Sequence, residues 1–244
     1  MSVKPILIIQ TGNATHSALQ AHGDFAEWFR LGMGLSPQQI TVCQVHQGEP
    51  LPDVQAVSGI LITGSAAMVT ERHAWSLGIQ RWLEQALPLK KPILGVCYGH
   101  QLLVDLLGGE VAYNPKGRSL GSMALKFLPA AAHDPLFSTK QAQRSVYVSH
   151  LQSAQRLPAD AVRLAFTEMD ENHAFRYGDF LWGWQFHPEW SKDITRCYIG
   201  DRATDLRKEG LNPEKMSAAV DETAAQPEWL RAFSSKCLIE EAVV

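Results

Sequence analysis

The stretch that decides the fold is Pro92-Ile93-Leu94-Gly95-Val96-Cys97-Tyr98-Gly99-His100-Gln101-Leu102-Leu103. Ile93 to Val96 is a short apolar run without alternation, as expected of a strand covered on both faces. From Tyr98 to Leu107 the pattern becomes that of a helix, stopped by Gly108-Gly109. The change falls at Cys97, flanked two residues away on either side by Gly95 and Gly99. This is the pattern of a nucleophile elbow, G-x-C-x-G in place of G-x-S-x-G. Such a turn is strained and its neighbours pack close, which is why it needs glycines. It holds a thiol above a strand end, at the N-terminus of a helix that favours an anion by about 0.3–1 kcal/mol.

Working outward, Pro5–Gln10 reads as a buried strand through Ile6, Leu7, Ile8 and Ile9, followed by the turn residues Thr11, Gly12 and Asn13. His16 to Leu31 carries an imperfect helical stripe of Leu19, Phe25, Trp28 and Phe29. Ile40–Val45 and Gly59–Ile62 are further strands, the latter running into Thr63-Gly64-Ser65, and Trp75–Leu87 is a helix. Strands alternating with helices in this order predict an α/β fold, an open, mostly parallel sheet flanked by helices. Ser122–Phe127, Ser145–Val148, Val162–Thr167 and Phe180–Phe186 read as short strands of an antiparallel extension. The charge-rich residues after 199, punctuated by Pro213 and Pro227, predict two or three peripheral helices. Trp229, Leu230, Phe233, Leu238 and Ile239 form their docking stripe. The simplest organisation is one domain with a helical C-terminal appendix.

The 244 residues are enough to bury a core without staples. With 45% hydrophobic and 19% charged residues, the composition excludes a disordered or fibrous chain. A net charge of -3 argues against a general phosphate-backbone binder, so no nucleic-acid partner is expected. The cysteines at 43, 97, 197 and 237 form no C-x-x-C pair and no disulfide framework. The opening Met-Ser-Val-Lys-Pro leads into an apolar stretch too short for a signal-peptide core. No apolar run approaches the ~20 residues that span a bilayer. The expectation is a cytoplasmic protein with free thiols and no membrane partner.

A cysteine nucleophile wants a base, and Trp184-Gln185-Phe186-His187-Pro188-Glu189-Trp190 offers one. In an extended segment residues two apart share a face, so His187 and Glu189 point the same way. One imidazole nitrogen then meets the thiol while the other meets the carboxylate, the nucleophile–base–orienter logic of a triad. His16, His22, His46, His73, His133 and His173 show neither an i, i+4 ligand pair nor a nearby acidic cluster of metal-site spacing. No metal and no cofactor is expected.

Gly95-Val96-Cys97-Tyr98-Gly99-His100-Gln101, together with Gln185-Phe186-His187-Pro188-Glu189, resembles the class I glutamine amidotransferases. The nearest likeness is to the glutaminase domain of GMP synthase and its free-standing relatives. The resemblance covers roughly residues 3–198. It implies a flavodoxin-like core, with a class I amidotransferase domain over 1–199 and an appendix over 200–244 packed on it. It also implies hydrolysis of the glutamine side-chain amide through a glutamyl thioester on Cys97, with His187 as acid and base and Glu189 orienting it. The oxyanion would be held by the backbone N–H groups of Tyr98 and Ser65. Gly64, Gln101, His150 and Leu151 match positions around the substrate. Ser65 and Ala66 stand where the family has Gly and Pro, a departure that bears on the geometry of the oxyanion turn.

No G-x-x-x-x-G-K-[ST] loop is present, and the appendix is too short for a synthetase domain. The ammonia is then released by a stand-alone hydrolase or used by a separate synthetase subunit. A third alternative is hydrolysis of γ-glutamyl peptides or amines, where another amine leaves. Trp75, Trp82, Trp190 and Trp229 read as core residues, or as anchors for such a subunit.

Overall fold

A computed structural model describes residues 4–137 and 141–239. The opening residues 1–3, which bear on a leader, and the end of the appendix, 240–244, lie outside the described residues. In chain order the strands are β1 (Ile6–Gln10), β2 (Ile40–Gln44), β3 (Gly59–Ile62), β4 (Ile93–Val96), β5 (Glu110–Tyr113), β6 (Ser119–Phe127), β7 (Gln143–His150), β8 (Gln152–Arg156), β9 (Ala161–Phe166), β10 (Ala174–Tyr177) and β11 (Leu181–Trp184). The helices are α1 (His16–His22), α2 (Phe25–Met33), α3 (Ala74–Ala86), α4 (Tyr98–Leu106), α5 (Lys192–Asp201), α6 (Ala203–Lys208), α7 (Pro213–Ala218) and α8 (Pro227–Ile239).

Nine strands form one sheet in the order β2-β1-β3-β4-β11-β10-β9-β6-β7. The run from β2 to β11 is parallel, and from β11 onward every pairing is antiparallel. The expected α/β class, with its antiparallel extension, is the one found. β5 and β8 pair separately. Alternation along β1 explains the layering. Ile6 and Ile8 face one core with Phe29, Ile194 and Phe233, while Leu7 and Ile9 face the other with Ile79, Leu83 and Leu102. Thus α2, α5 and α8 cover one face and α3 and α4 the other.

Three expectations change. The stripe over His16–Leu31 is two helices, broken where Gly23 takes φ +81° and the Asp24 carboxylate caps α2 by accepting from the N–H of Phe25. The same carboxylate accepts from the N–H of Ala14 and from Gln10, so the break is pinned to the end of β1. Phe180–Phe186 is only half in the antiparallel extension, since its strand pairs antiparallel with β10 on one side. Its β11 pairs in parallel with β4 at the centre of the sheet, where all of Leu181–Trp184 is buried on both faces. The docking stripe of α8 is partial: Trp229, Leu230 and Phe233 are buried, Leu238 packs at its margin, and Ile239 is 63% exposed. Trp229 meets Phe137 edge-on at 4.9 Å and Phe186 at 5.5 Å. Such contacts are worth about 0.5–1.5 kcal/mol each beyond burial.

The strands β5, β8 and β10 carry little sequence signal, since Gln152–Arg156 and Ala174–Tyr177 lack an apolar run. Trp190 and Trp229 are core, whereas Trp75 and Trp82 are half-buried beside an open cavity of about 600 Å³. Among the described residues none of the four cysteines is in a disulfide, and no helix is long and apolar enough to cross a membrane.

Candidate active site

Cys97 sits between β4 and α4 with φ 52° and ψ −100°, a conformation that costs a residue with a Cβ about 1–3 kcal/mol. Its backbone is tied down on both sides. The N–H of Cys97 donates to the Trp184 carbonyl at 2.8 Å, and its carbonyl accepts from the N–H of Gln101 at 3.1 Å. A Cβ on Gly95 would strike the carbonyl of Gly99, and one on Gly99 would strike the carbonyl of Ile62. The two glycines let the turn close onto β3 and β4.

β4 and β11 are neighbours with Val96 opposite Trp184. The chain leaving β11 therefore passes Cys97 and delivers His187, whose backbone N–H donates to the Tyr147 carbonyl at 2.8 Å. His187 Nδ1 lies 2.7 Å from Glu189 Oε1, and both side chains are buried. The Trp190 ring stacks on the imidazole at 3.9 Å and 11°, and Phe25 lies nearly parallel to it at 6.3 Å. Burial by itself would lower the imidazole's pKa, but the Glu189 carboxylate and Cys97 outweigh it and push it up to about 9. The Cys97 thiol donates to the Ser149 carbonyl at 3.6 Å. Gly64 lies beneath this pair: a Cβ there would stand 3.0 Å from His187 Cε1 and 3.6 Å from Cys97 Cβ.

Ser65, Tyr98, Gln101, His150 and Leu151 line a cavity of about 180 Å³ that opens onto Cys97. Gly64, expected among them, does not line it and instead makes room for His187. Tyr98 is the first residue of α4, so its N–H has no partner within the helix. Ser65 Oγ donates to the Thr11 carbonyl at 2.8 Å and accepts from the N–H of Ala67 at 3.1 Å, which fixes the turn after β3. Gln101 Nε2 is spent on the Gln152 carbonyl at 2.7 Å and Gln185 Oε1 at 3.0 Å, bracing the cavity wall.

His150 donates through Nδ1 to the Gln152 carbonyl at 2.9 Å. Burial, reinforced by His173, pushes its pKa down to about 3. His173 does have an acidic neighbour, contrary to the sequence expectation: Asp170 Oδ2 lies 3.3 Å from its Nδ1. Burial opposes the Asp170 charge, yet the bond and charge of His173 hold its pKa down near 2. His150, Asp170 and His173 each bring a donor atom to within 4.8 Å of the others, so among the described residues they are the ones that could gather a cation. Asp170 and His173 are near in sequence, but His150 joins them only because β7 ends beside the turn that precedes β10.

Arg118 and Arg202 also line the cavity, and no sequence signal marks them. Neither belongs to a motif, and Arg202 sits in a charge-rich segment where an arginine ordinarily faces water.

A strained thiol thus ends one strand of the parallel half of the sheet, and a buried His–Glu pair follows the neighbouring strand. The sequence model described as glutamine amidotransferase class-I matches residues 35–199, and the chain belongs to that family. It is 27% identical over 206 residues to gamma-glutamyl peptidase 5 of Arabidopsis thaliana, covering 82% of this chain and 81% of that one. It is 36% identical over 152 residues to a GMP synthase [glutamine-hydrolyzing] of Porphyromonas gingivalis, covering 61% of this chain but only 28% of that synthase's length. Crystal structures of glutamine amidotransferases share the fold. One from Methylobacillus flagellatus has a TM-score of 0.74 at 20% identity, covering 98% of this chain and 95% of its own. One from Thermotoga maritima has a TM-score of 0.72 at 22% identity, covering 99% and 98%.

Proposed function

We propose that the chain hydrolyses γ-glutamyl amides through a thioester on Cys97, with L-glutamine as the simplest donor. The observation that carries this is the placement of Cys97 and the His187–Glu189 pair just beyond the C-terminal ends of the adjacent parallel strands β4 and β11. Cys97 Sγ, having passed its proton to His187, attacks the γ-carbonyl carbon as the thiolate, and the carbonyl electrons move onto oxygen. The backbone N–H groups of Tyr98 and Ser65 receive that oxyanion, each worth about 10²–10³ in rate. The C–N bond then breaks as His187 gives its proton to the departing nitrogen, a donation for which a pKa of about 9 keeps it charged at neutral pH. Glu189 holds the ring in place and supports its charge. Water, deprotonated by His187, displaces the sulfur, and glutamate leaves.

Ammonia release from L-glutamine by the whole chain, beside Cys97→Ser, tests this. Thiol-dependent release is expected. Equal release by Cys97→Ser, or no thiol-dependent cleavage of any γ-glutamyl amide, overturns the reading. A second reading, in which the leaving amine is larger than ammonia, is favoured by one residue at the cavity, Arg202. Similarity to a gamma-glutamyl peptidase over most of both chains points the same way.

A further inference from the structure

Arg202 joins α5 to α6 and is half-buried, with its guanidinium 5.2 Å over the Tyr198 ring. Among the described residues it makes no hydrogen bond and no salt bridge through that group. Arg118, on the same cavity, is by contrast held by both oxygens of Glu209 at 2.7–3.1 Å. Two guanidiniums thus face one cavity with a carboxylate for only one of them. Burial works against the Arg202 charge and Arg118 repels it, while Tyr198, Cys97 and Asp201 act the other way. A cation withdrawn from water without an anion is costly, and its planar fork is shaped to take a carboxylate at two points.

Its position says which carboxylate. Cys97 borders two cavities: the one of about 180 Å³ that reaches Gln101 and His150, and a narrow one of about 20 Å³ that reaches His187. Arg202 borders both. Its platform Tyr198 packs on Trp190 at 4.1 Å, and Trp190 stacks on His187 at 3.9 Å. Arg202 therefore stands on the side from which His187 protonates the departing nitrogen. Resting on the hydrolytic reading of this site, we infer that Arg202 receives a carboxylate carried by the leaving amine. The preferred donors are then γ-glutamyl amino acids, whose amine leaves with its own carboxylate, and not glutamine, whose leaving group carries none.

The test compares γ-glutamylglycine, γ-glutamylglycinamide and L-glutamine as donors for the whole chain, for Arg202→Gln and for Arg202→Lys. The first two differ only in the charge at issue. The expected result is that kcat/KM favours γ-glutamylglycine over its amide about 10- to 100-fold, as a charge-assisted bond implies. Arg202→Gln brings the two donors to parity, and Arg202→Lys restores part of the preference. Parity in the unmodified chain overturns the inference while leaving Cys97-dependent hydrolysis standing. An equal loss on all three donors in Arg202→Gln also overturns it, because that would put Arg202 on the α-carboxylate they share. If nothing is cleaved, the hydrolytic reading fails, and calorimetric binding to Cys97→Ala decides the clamp separately. Tighter binding of γ-glutamylglycine than of its amide, lost in the Arg202→Gln background, supports it. No such difference, or no binding of either, overturns it.

Discussion

The backbone N–H of Cys97 donates to the Trp184 carbonyl at 2.8 Å, so the strand end bearing the thiol is bonded to the strand whose chain reaches His187 three residues later. The separation of the two groups is therefore a property of the sheet, while the loops around them set what else the cavity meets.

The conformation of Cys97 makes its Cβ a burden. At φ 52° and ψ −100° glycine fits without strain, whereas alanine keeps the Cβ. Cys97→Gly is expected to be more stable than Cys97→Ala by about 1 kcal/mol in urea denaturation, with neither showing thiol-dependent turnover. Equal stabilities would show that the elbow holds no strain.

Gly64 is expected to tolerate no side chain without cost to turnover. A Cβ there stands 3.0 Å from His187 Cε1 and 3.5 Å from Phe25, and Trp190 stacked on the ring limits its retreat. Gly64→Ala should lower kcat about 10- to 100-fold through misplacement of the imidazole, with little change in KM. An unchanged kcat would mean that the ring moves aside freely.

Stability should peak near pH 6.5–7 and fall on both sides. The folded chain holds the His187 proton up to about pH 9, above the ordinary 6.5. That contribution is full below pH 6.5 and is lost as pH rises through 9. His150 and His100 are pushed down, mainly by burial, to about 3 and about 4. They stay neutral in the fold, so below pH 6.5 the unfolded chain takes up protons that the folded one refuses. Each then costs about 1.4 kcal/mol per pH unit. Melting temperature against pH checks this. Glu189→Gln should flatten the alkaline limb and leave the acid limb; a flat alkaline limb in the unmodified chain would contradict the account.

Ser65→Ala should loosen the turn that offers an oxyanion donor. Its hydroxyl bonds both the Thr11 carbonyl and the N–H of Ala67. About a tenfold loss in kcat is expected, smaller than the 10²–10³ for losing a donor outright, because the backbone N–H itself remains. Measuring kcat and KM separately on L-glutamine decides it, and a change confined to KM would place Ser65 in binding alone.

The features legible in the amino-acid sequence are local ones. The strand-to-helix change at Cys97, its flanking glycines and the two-residue spacing of His187 and Glu189 are constraints within a few neighbouring residues. The amphipathic stripe at His16–Leu31 is legible too, but not the contacts that pin its break to the end of β1, because Ala14 and Gln10 reach the Asp24 carboxylate only in the fold. Phe180–Phe186 is legible as a strand but not as a parallel one, since an apolar run carries no direction.

The α/β class, the family and the elbow follow from the order of residues alone, because local sterics and hydrophobic period are written in adjacent positions. Packing in three dimensions was needed to set β11 beside β4, to put Gly64 at the service of the imidazole, to bring His150 to Asp170 and His173, and to place Arg202 on the cavity that Cys97 borders. Those meetings depend on strand register and on helices docking from the far end of the chain. They are settled by contact between distant segments, which leaves no trace in the spacing of neighbours.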